Sequence, residues 1–143
     1  MPDPETTDPA AGTASSLLDG LPEVSTLTTF GGEVLALEPG QARIRYEVTP
    51  AYCNPRGVLQ GGMFAVFLDD AMGYAVVRLL GPEASFTTTD LTLHYLRPAE
   101  PGPVVAEAEV IRHGSRTVYV EGSVRTEDGK LCARASSILI RLG

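Results

Sequence analysis

The chain has 143 residues, the length of one domain, and its 11 Lys and Arg against 18 Asp and Glu leave a net charge of −7. Such a field repels polyanions and speaks against non-specific binding to nucleic acid or an anionic membrane. An apolar content of 43% excludes a mostly disordered chain, and 2 cysteines exclude a multi-disulfide framework or a cysteine-rich zinc site, leaving reduced thiols in a cytoplasmic protein as the simplest expectation.

Residues 1–15, rich in proline and small polar residues, predict a flexible tail ahead of one folded domain over residues 16–143. They lack the basic and apolar regions of a signal peptide. A short helix follows, with Ser15 or Ser16 as N-cap before Leu17, Leu18 and Leu21, stopping at Pro22. Residues 32–37 and 41–49 read as a hairpin around Pro39-Gly40. In its second strand Ala42, Ile44, Tyr46 and Val48 alternate with Arg43, Arg45 and Glu47.

The turn-rich stretch 50–57 leads into an apolar run from Gly61 to Leu80, too long for a typical strand and stopped by Gly81-Pro82. Asp69 and Asp70 near its middle would each cost about 2.5–3.5 kcal/mol at a bilayer centre, so the run predicts a buried helix of a water-soluble fold. Four strands complete the chain, over 85–96, 104–112, 117–126 and 131–142, with short Gly-containing links at 113–115 and 127–129. The order β-β-α-β-β-β-β predicts an α+β domain with an antiparallel sheet curled around one central helix.

The chemistry concentrates at the helix. Gly61-Gly62 at its start lets a ligand approach backbone N–H groups where the helix dipole is positive, a place that can hold a developing oxyanion. Asp69 and Asp70 are costly inside an apolar helix unless paired, solvated or used. Neighbouring helix positions differ by about 100°, so one is expected to face a polar cleft and the other to be capped or exposed. A purely structural role for both remains open at this point. His94 and His113 lack zinc-site spacing, and no G-x-S-x-G elbow is present, so neither a metal centre nor a serine hydrolase is expected. Cys53 has no neighbouring His to activate it and reads as a packing residue.

The segments NPRGVLQGGMFAVFLDDAMG, TTTDLTLHYLRPAEPG and IRHGSRTVYVEGSV together resemble the hotdog-fold thioesterases, and most nearly their phenylacetate-degradation (PaaI-type) acyl-CoA subgroup. The likeness runs from about Gly32 to the C-terminus. It implies an acyl-CoA thioester hydrolase needing no cofactor beyond the CoA of its substrate. It also implies that the Gly61 N–H polarises the carbonyl, and that Asp69 is general base or nucleophile. Asn54 would help position the reacting groups, and Thr88 would sit beside the attacking water. Arg112, Ser115 and Arg116 around Gly114 match where relatives contact the nucleotide or pantetheine arm, and Gly62 and Arg97 are further candidates for holding substrate or CoA. Asp70 has no counterpart and reads as structural.

The family commonly has His-Gly-Gly where this chain has Gln60-Gly61-Gly62; a Gln amide donates a hydrogen bond but carries no charge. A non-catalytic acyl-CoA-binding protein is therefore the rival reading, with a hotdog hydratase or dehydratase as a third. The acyl pocket is expected to be lined by Met63, Phe64, Phe67 and partner residues. Gly61 and Asp69 are eight positions apart, about 12 Å along one helix, whereas both must come within roughly 3 Å of one thioester. The spacing therefore predicts composite sites in a homodimer, and the resemblance implies pairing of dimers into a homotetramer.

Overall fold

The computed structural model of the protein describes residues 17–143; the expected tail and the cap at Ser15 or Ser16 lie outside the described residues. Leu17 is helical and Leu18 to Gly20 form a turn, closed by the Leu21 N–H on the Leu18 carbonyl at 3.0 Å, so the described end of the expected short helix stops before Pro22. A separate short helix, α1 (Ser25–Thr29), follows Pro22, where the sequence pattern predicts none. No side chain caps it. It is held by tertiary contacts: Leu27 is buried, Thr26 hydrogen-bonds Asp70, and the Val24 N–H donates to the Tyr74 hydroxyl at 3.1 Å.

The strands are β1 (Glu33–Glu38), β2 (Gln41–Val48), β3 (Phe86–Tyr95), β4 (Gly102–His113), β5 (Thr117–Thr126) and β6 (Leu131–Arg141), with one long helix, α2 (Gly61–Leu80), between β2 and β3. Each lies within two residues of its expected span. The largest shift is at the start of β4, where Gly102 and Pro103 join the ladder because Val48 and Glu47 extend far enough to pair with them. The β1–β2 turn is Pro39-Gly40, with Gly40 at φ +79°, where a side chain would be strained.

All strand pairs are antiparallel, in the order β1-β2-β4-β5-β6-β3. The sheet curls around α2, which buries Phe64, Phe67, Leu68, Met72, Tyr74 and Val76 among its inward residues. Ile44 and Tyr46 of β2, Ala106 of β4, and Val118, Val120 and Val124 of β5 meet it from the sheet side. Gly122 marks the closest approach: a Cβ there would stand 2.8 Å from the Glu107 carbonyl and 3.0 Å from both Leu68 and Met72. Among the described residues no helix is long and apolar enough to cross a membrane.

The strand that follows α2 crosses the molecule to the far edge of the sheet. There β3 pairs with β6 alone, and none of its 10 residues is fully buried. A bulge between Thr88 and Asp90 lets the Asp90 carboxylate accept the Ile138 N–H at 3.1 Å. It also re-aims the strand where it passes α2.

Candidate active site

The chain enters α2 through a braced loop. The Asn54 Oδ1 accepts the N–H of Arg56 at 2.9 Å and of Val58 at 3.4 Å, and the Asn54 N–H donates to the Val58 carbonyl at 2.8 Å. Gly57, at φ +81°, makes the reversal. The Leu59 N–H then donates to the Ala99 carbonyl and the Gln60 N–H to that of Tyr52. Gln60 is the N-cap residue, extended at φ −64° and ψ 140°, and its exposed side chain makes no capping bond. No hydrogen bond occupies the N–H of Gly61 or Gly62 among the described residues. As first-turn donors they have no carbonyl one turn back to bond.

Tyr95, at the end of β3, holds this helix start from the other side. Its hydroxyl donates to the Gly61 carbonyl at 2.9 Å, and its ring meets Phe64 edge-on at 5.5 Å. Gly61 suits this close fit, since a Cβ would stand 3.2 Å from the Tyr95 oxygen and push it aside by a few tenths of an ångström. Gly61, Phe64, Tyr95 and Arg97 line one hollow of about 330 Å³. The sequence singled out the glycine and the arginine but not Tyr95. An exposed tyrosine at a strand end carries no signal until its partner carbonyl, 34 residues away, is known.

Two turns further along α2, the paired carboxylates separate. Asp70 is 5% exposed, and its two oxygens accept the hydroxyls of Thr26 and Tyr46, the latter at 2.7 Å. Burial raises its pKa above the ordinary carboxylate value, opposed by those two hydrogen bonds. Burial also raises the Tyr46 phenol, helped by the adjacent carboxylate, so Tyr46 stays protonated and donates. This is the structural role expected of Asp70.

Asp69 is exposed, and the Thr88 hydroxyl donates to its Oδ1 at 3.1 Å. The structure thus brings together Asp69 and Thr88, two of the residues singled out, from the helix and the edge strand. They open onto a groove of about 420 Å³ whose walls include Gly73 and Val77 of α2, Phe86 of β3, Leu139 of β6 and Val24 before α1. This groove shares no lining residue with the hollow at Gly61.

The remaining candidates divide. Arg97 stands with Gly61, and Asn54 braces the turn below Gln60. Arg112, Gly114, Ser115 and Arg116 are all exposed around the β4–β5 turn, which the Gly114 N–H closes on the Thr117 carbonyl at 2.9 Å; they line neither opening. Of the residues expected around the acyl group, Phe64 lines the Gly61 hollow and Met63 lines neither opening. Phe67 lies in the core, stacked on Tyr46 at 4.1 Å. Cys53 is half-buried, its thiol 3.4 Å from the Thr49 carbonyl. Among the described residues no group of three or more His, Cys, Asp or Glu is placed to hold a metal ion.

Residues 56–133, which include Gly61, Asp69 and Thr88, match the model of the thioesterase superfamily. A phenylacetic acid degradation-related protein from Ralstonia eutropha is 34% identical over 87% of this chain and 96% of its own, with a TM-score of 0.79. A single-residue mutant of the phenylacetic acid degradation protein PaaI from Thermus thermophilus is 30% identical over 81% of this chain and 97% of its own, with a TM-score of 0.73. The 1,4-dihydroxy-2-naphthoyl-CoA hydrolase of Listeria monocytogenes is 28% identical over 79% of this chain and 93% of its own. With its sheet wrapped around α2, and with the family match covering more than half of its length, the chain belongs to the thioesterase superfamily and is a PaaI-like, hotdog-fold thioester hydrolase.

Proposed function

We propose that this thioesterase hydrolyses acyl-CoA to the free acid and CoA, at composite sites shared by two copies of the chain. One observation carries the reading. The oxyanion donor at Gly61 and the carboxylate at Asp69 open into separate cavities, about 12 Å apart along a single helix. A second α2 running antiparallel across a two-fold axis brings the Gly61 of one copy opposite the Asp69 of the other, twice per dimer. The exposed β3 edge, which carries Thr88 and Tyr95, supplies the surface for that contact.

At each site the Gly61 N–H polarises the thioester carbonyl. Asp69 takes a proton from a water that Thr88 helps to hold, and the water oxygen bonds to the carbonyl carbon. The tetrahedral oxyanion is held by the Gly61 N–H. Its collapse breaks the C–S bond, and the CoA sulfur takes up the proton from Asp69. A donor of this kind is worth about 2.7–4 kcal/mol, and a positioned base about 10²–10⁴-fold. We write Asp69 as the base: its Oδ1 accepts the Thr88 hydroxyl, and its Oδ2 takes the proton of the water.

Gln60 supplies an uncharged amide donor beside the carbonyl, and Gly62 a second first-turn N–H. Arg97 lies where the thioester's CoA arm would leave the Gly61 hollow. Arg112, Ser115 and Arg116 around Gly114 form the exposed cationic turn that the CoA phosphates would meet. Asn54 acts on the reaction through the loop it braces.

The test is thiol release from a panel of aryl- and alkyl-CoA thioesters. Wild type is expected to turn over at least one of them, and Asp69→Ala to lose about 10²–10⁴-fold in kcat while its unfolding transition stays in place. Acyl-CoA binding without turnover would favour the binding-protein reading that Gln60 raises. Turnover indifferent to Asp69→Ala would overturn the assignment of the base.

A further inference from the structure

Gly73 sits in the interior of α2, where a glycine weakens a helix relative to alanine. Packing within the chain does not account for it. A Cβ at Gly122 would strike α2 and a neighbouring strand, whereas a Cβ at Gly73 would meet no atom within 4 Å. Nor does backbone conformation account for it, since its φ lies outside the positive range that only glycine tolerates well. What distinguishes Gly73 is its place. It lies one turn beyond Asp69 on the same helix face and forms part of the wall of the groove that Asp69 and Thr88 open onto. Beyond it the lining is largely apolar, with Val24, Val77, Phe86 and Leu139 around the space that the missing side chain leaves free.

We infer that Gly73 is a specificity-determining residue: by carrying no side chain it admits the bulk of the substrate's acyl group into the groove beside Asp69. The inference rests on the proposed thioesterase site. It adds that the acyl end of the substrate, and not its CoA end, lies along the Asp69–Gly73–Val77 face of α2. An apolar acyl group fits this lining, and its permitted width next to the reacting carbon is set at residue 73. Each carbon added at this position takes space from the acyl group and leaves the smallest thioesters the least affected.

The experiment compares Gly73→Ala and Gly73→Leu with wild type on acetyl-CoA and on the bulkiest acyl-CoA that wild type turns over, benzoyl-CoA being the first choice. The readout is the ratio of kcat/KM for the bulky substrate to that for acetyl-CoA. The ratio is expected to fall about tenfold in Gly73→Ala, the scale on which a methylene group is discriminated in an apolar pocket, and further in Gly73→Leu. A ratio unchanged in both variants would overturn the inference. If Gly73→Leu unfolds or falls apart into monomers, Gly73→Ala decides alone, because its added methyl group has open space. If wild type hydrolyses no thioester, the proposed function has failed on its own. The same pair of substrates, compared by calorimetric binding, then tests residue 73 separately: a selective loss of benzoyl-CoA affinity supports the acyl groove, and equal affinities overturn it.

Discussion

Asp69 and Asp70 differ by about 100° around α2, and that rotation leaves one exposed at the mouth of a groove and buries the other in its wall, bound to Thr26 of α1. The buried carboxylate has a consequence for stability. Its folded-state pKa is raised, so at pH values between the ordinary 3.8 and the raised value the folded chain binds more protons at this site than the unfolded chain. The contribution of Asp70 is therefore fully present below the ordinary value and is lost as pH rises through the folded one. Asp70→Asn removes the titration but leaves either Thr26 or Tyr46 without an acceptor, a cost of about 1–3 kcal/mol. Urea unfolding across a pH series should show wild type ahead of Asp70→Asn at low pH, with the gap narrowing as pH rises. A different expectation attaches to Tyr95. Tyr95→Phe keeps the ring on Gly61 and Phe64 and loses only the bond to the Gly61 carbonyl. A loss of about 0.5–1.5 kcal/mol in the alignment of the oxyanion donor should appear as a drop in kcat of roughly 2- to 13-fold, with KM little changed, in steady-state kinetics. The sequence pointed to Asp69 and Thr88 through a resemblance. Only the fold shows that the strand carries Thr88 to the helix, and that Tyr95 clamps the other end.

Two glycines at the scale of the helix and sheet make opposite demands. Gly122→Ala pushes a methyl group against the Glu107 carbonyl and the Leu68 and Met72 side chains, and overpacking of that kind costs about 1–3 kcal/mol. Gly73→Ala meets nothing and removes a poor helix former, so it should gain up to about 0.8–1 kcal/mol. Paired denaturant titrations should move the midpoint down for the first variant and up for the second. Most elements were legible for local reasons. The Pro39-Gly40 turn, the alternation in β2 and the Gly-containing links around β5 are written in neighbouring residues, and β5 spans residues 117–126 as expected. The helix α1 was not legible, because it lacks a side-chain cap and is held by Tyr74 and Asp70, more than 40 residues away. The position of β3 at the sheet edge was likewise hidden, since strand order follows from packing over α2 and from no local signal.

At the scale of the whole molecule, the proposed mechanism places half of a site at each of two openings along α2. On that mechanism a monomer holds the oxyanion donor of Gly61 in one hollow and the base Asp69 at the other, with neither complete. Subunit mixing tests this most directly. Gly61→Pro removes the polarising N–H at the first helical position, where the extended Gln60 suits a following proline and the added Cβ requires the Tyr95 hydroxyl to shift by only a few tenths of an ångström. Asp69→Ala removes the base. Each variant alone should be inactive in thiol release. Co-expressed in equal amounts and assorted at random, half of the dimers are mixed, and each of these holds one intact site of two. Activity is therefore expected to return to about a quarter of wild type on the same substrate. If Gly61 and Asp69 of the same chain acted together, no assortment could rebuild a site, and mixed preparations as inactive as their parents would contradict the composite site.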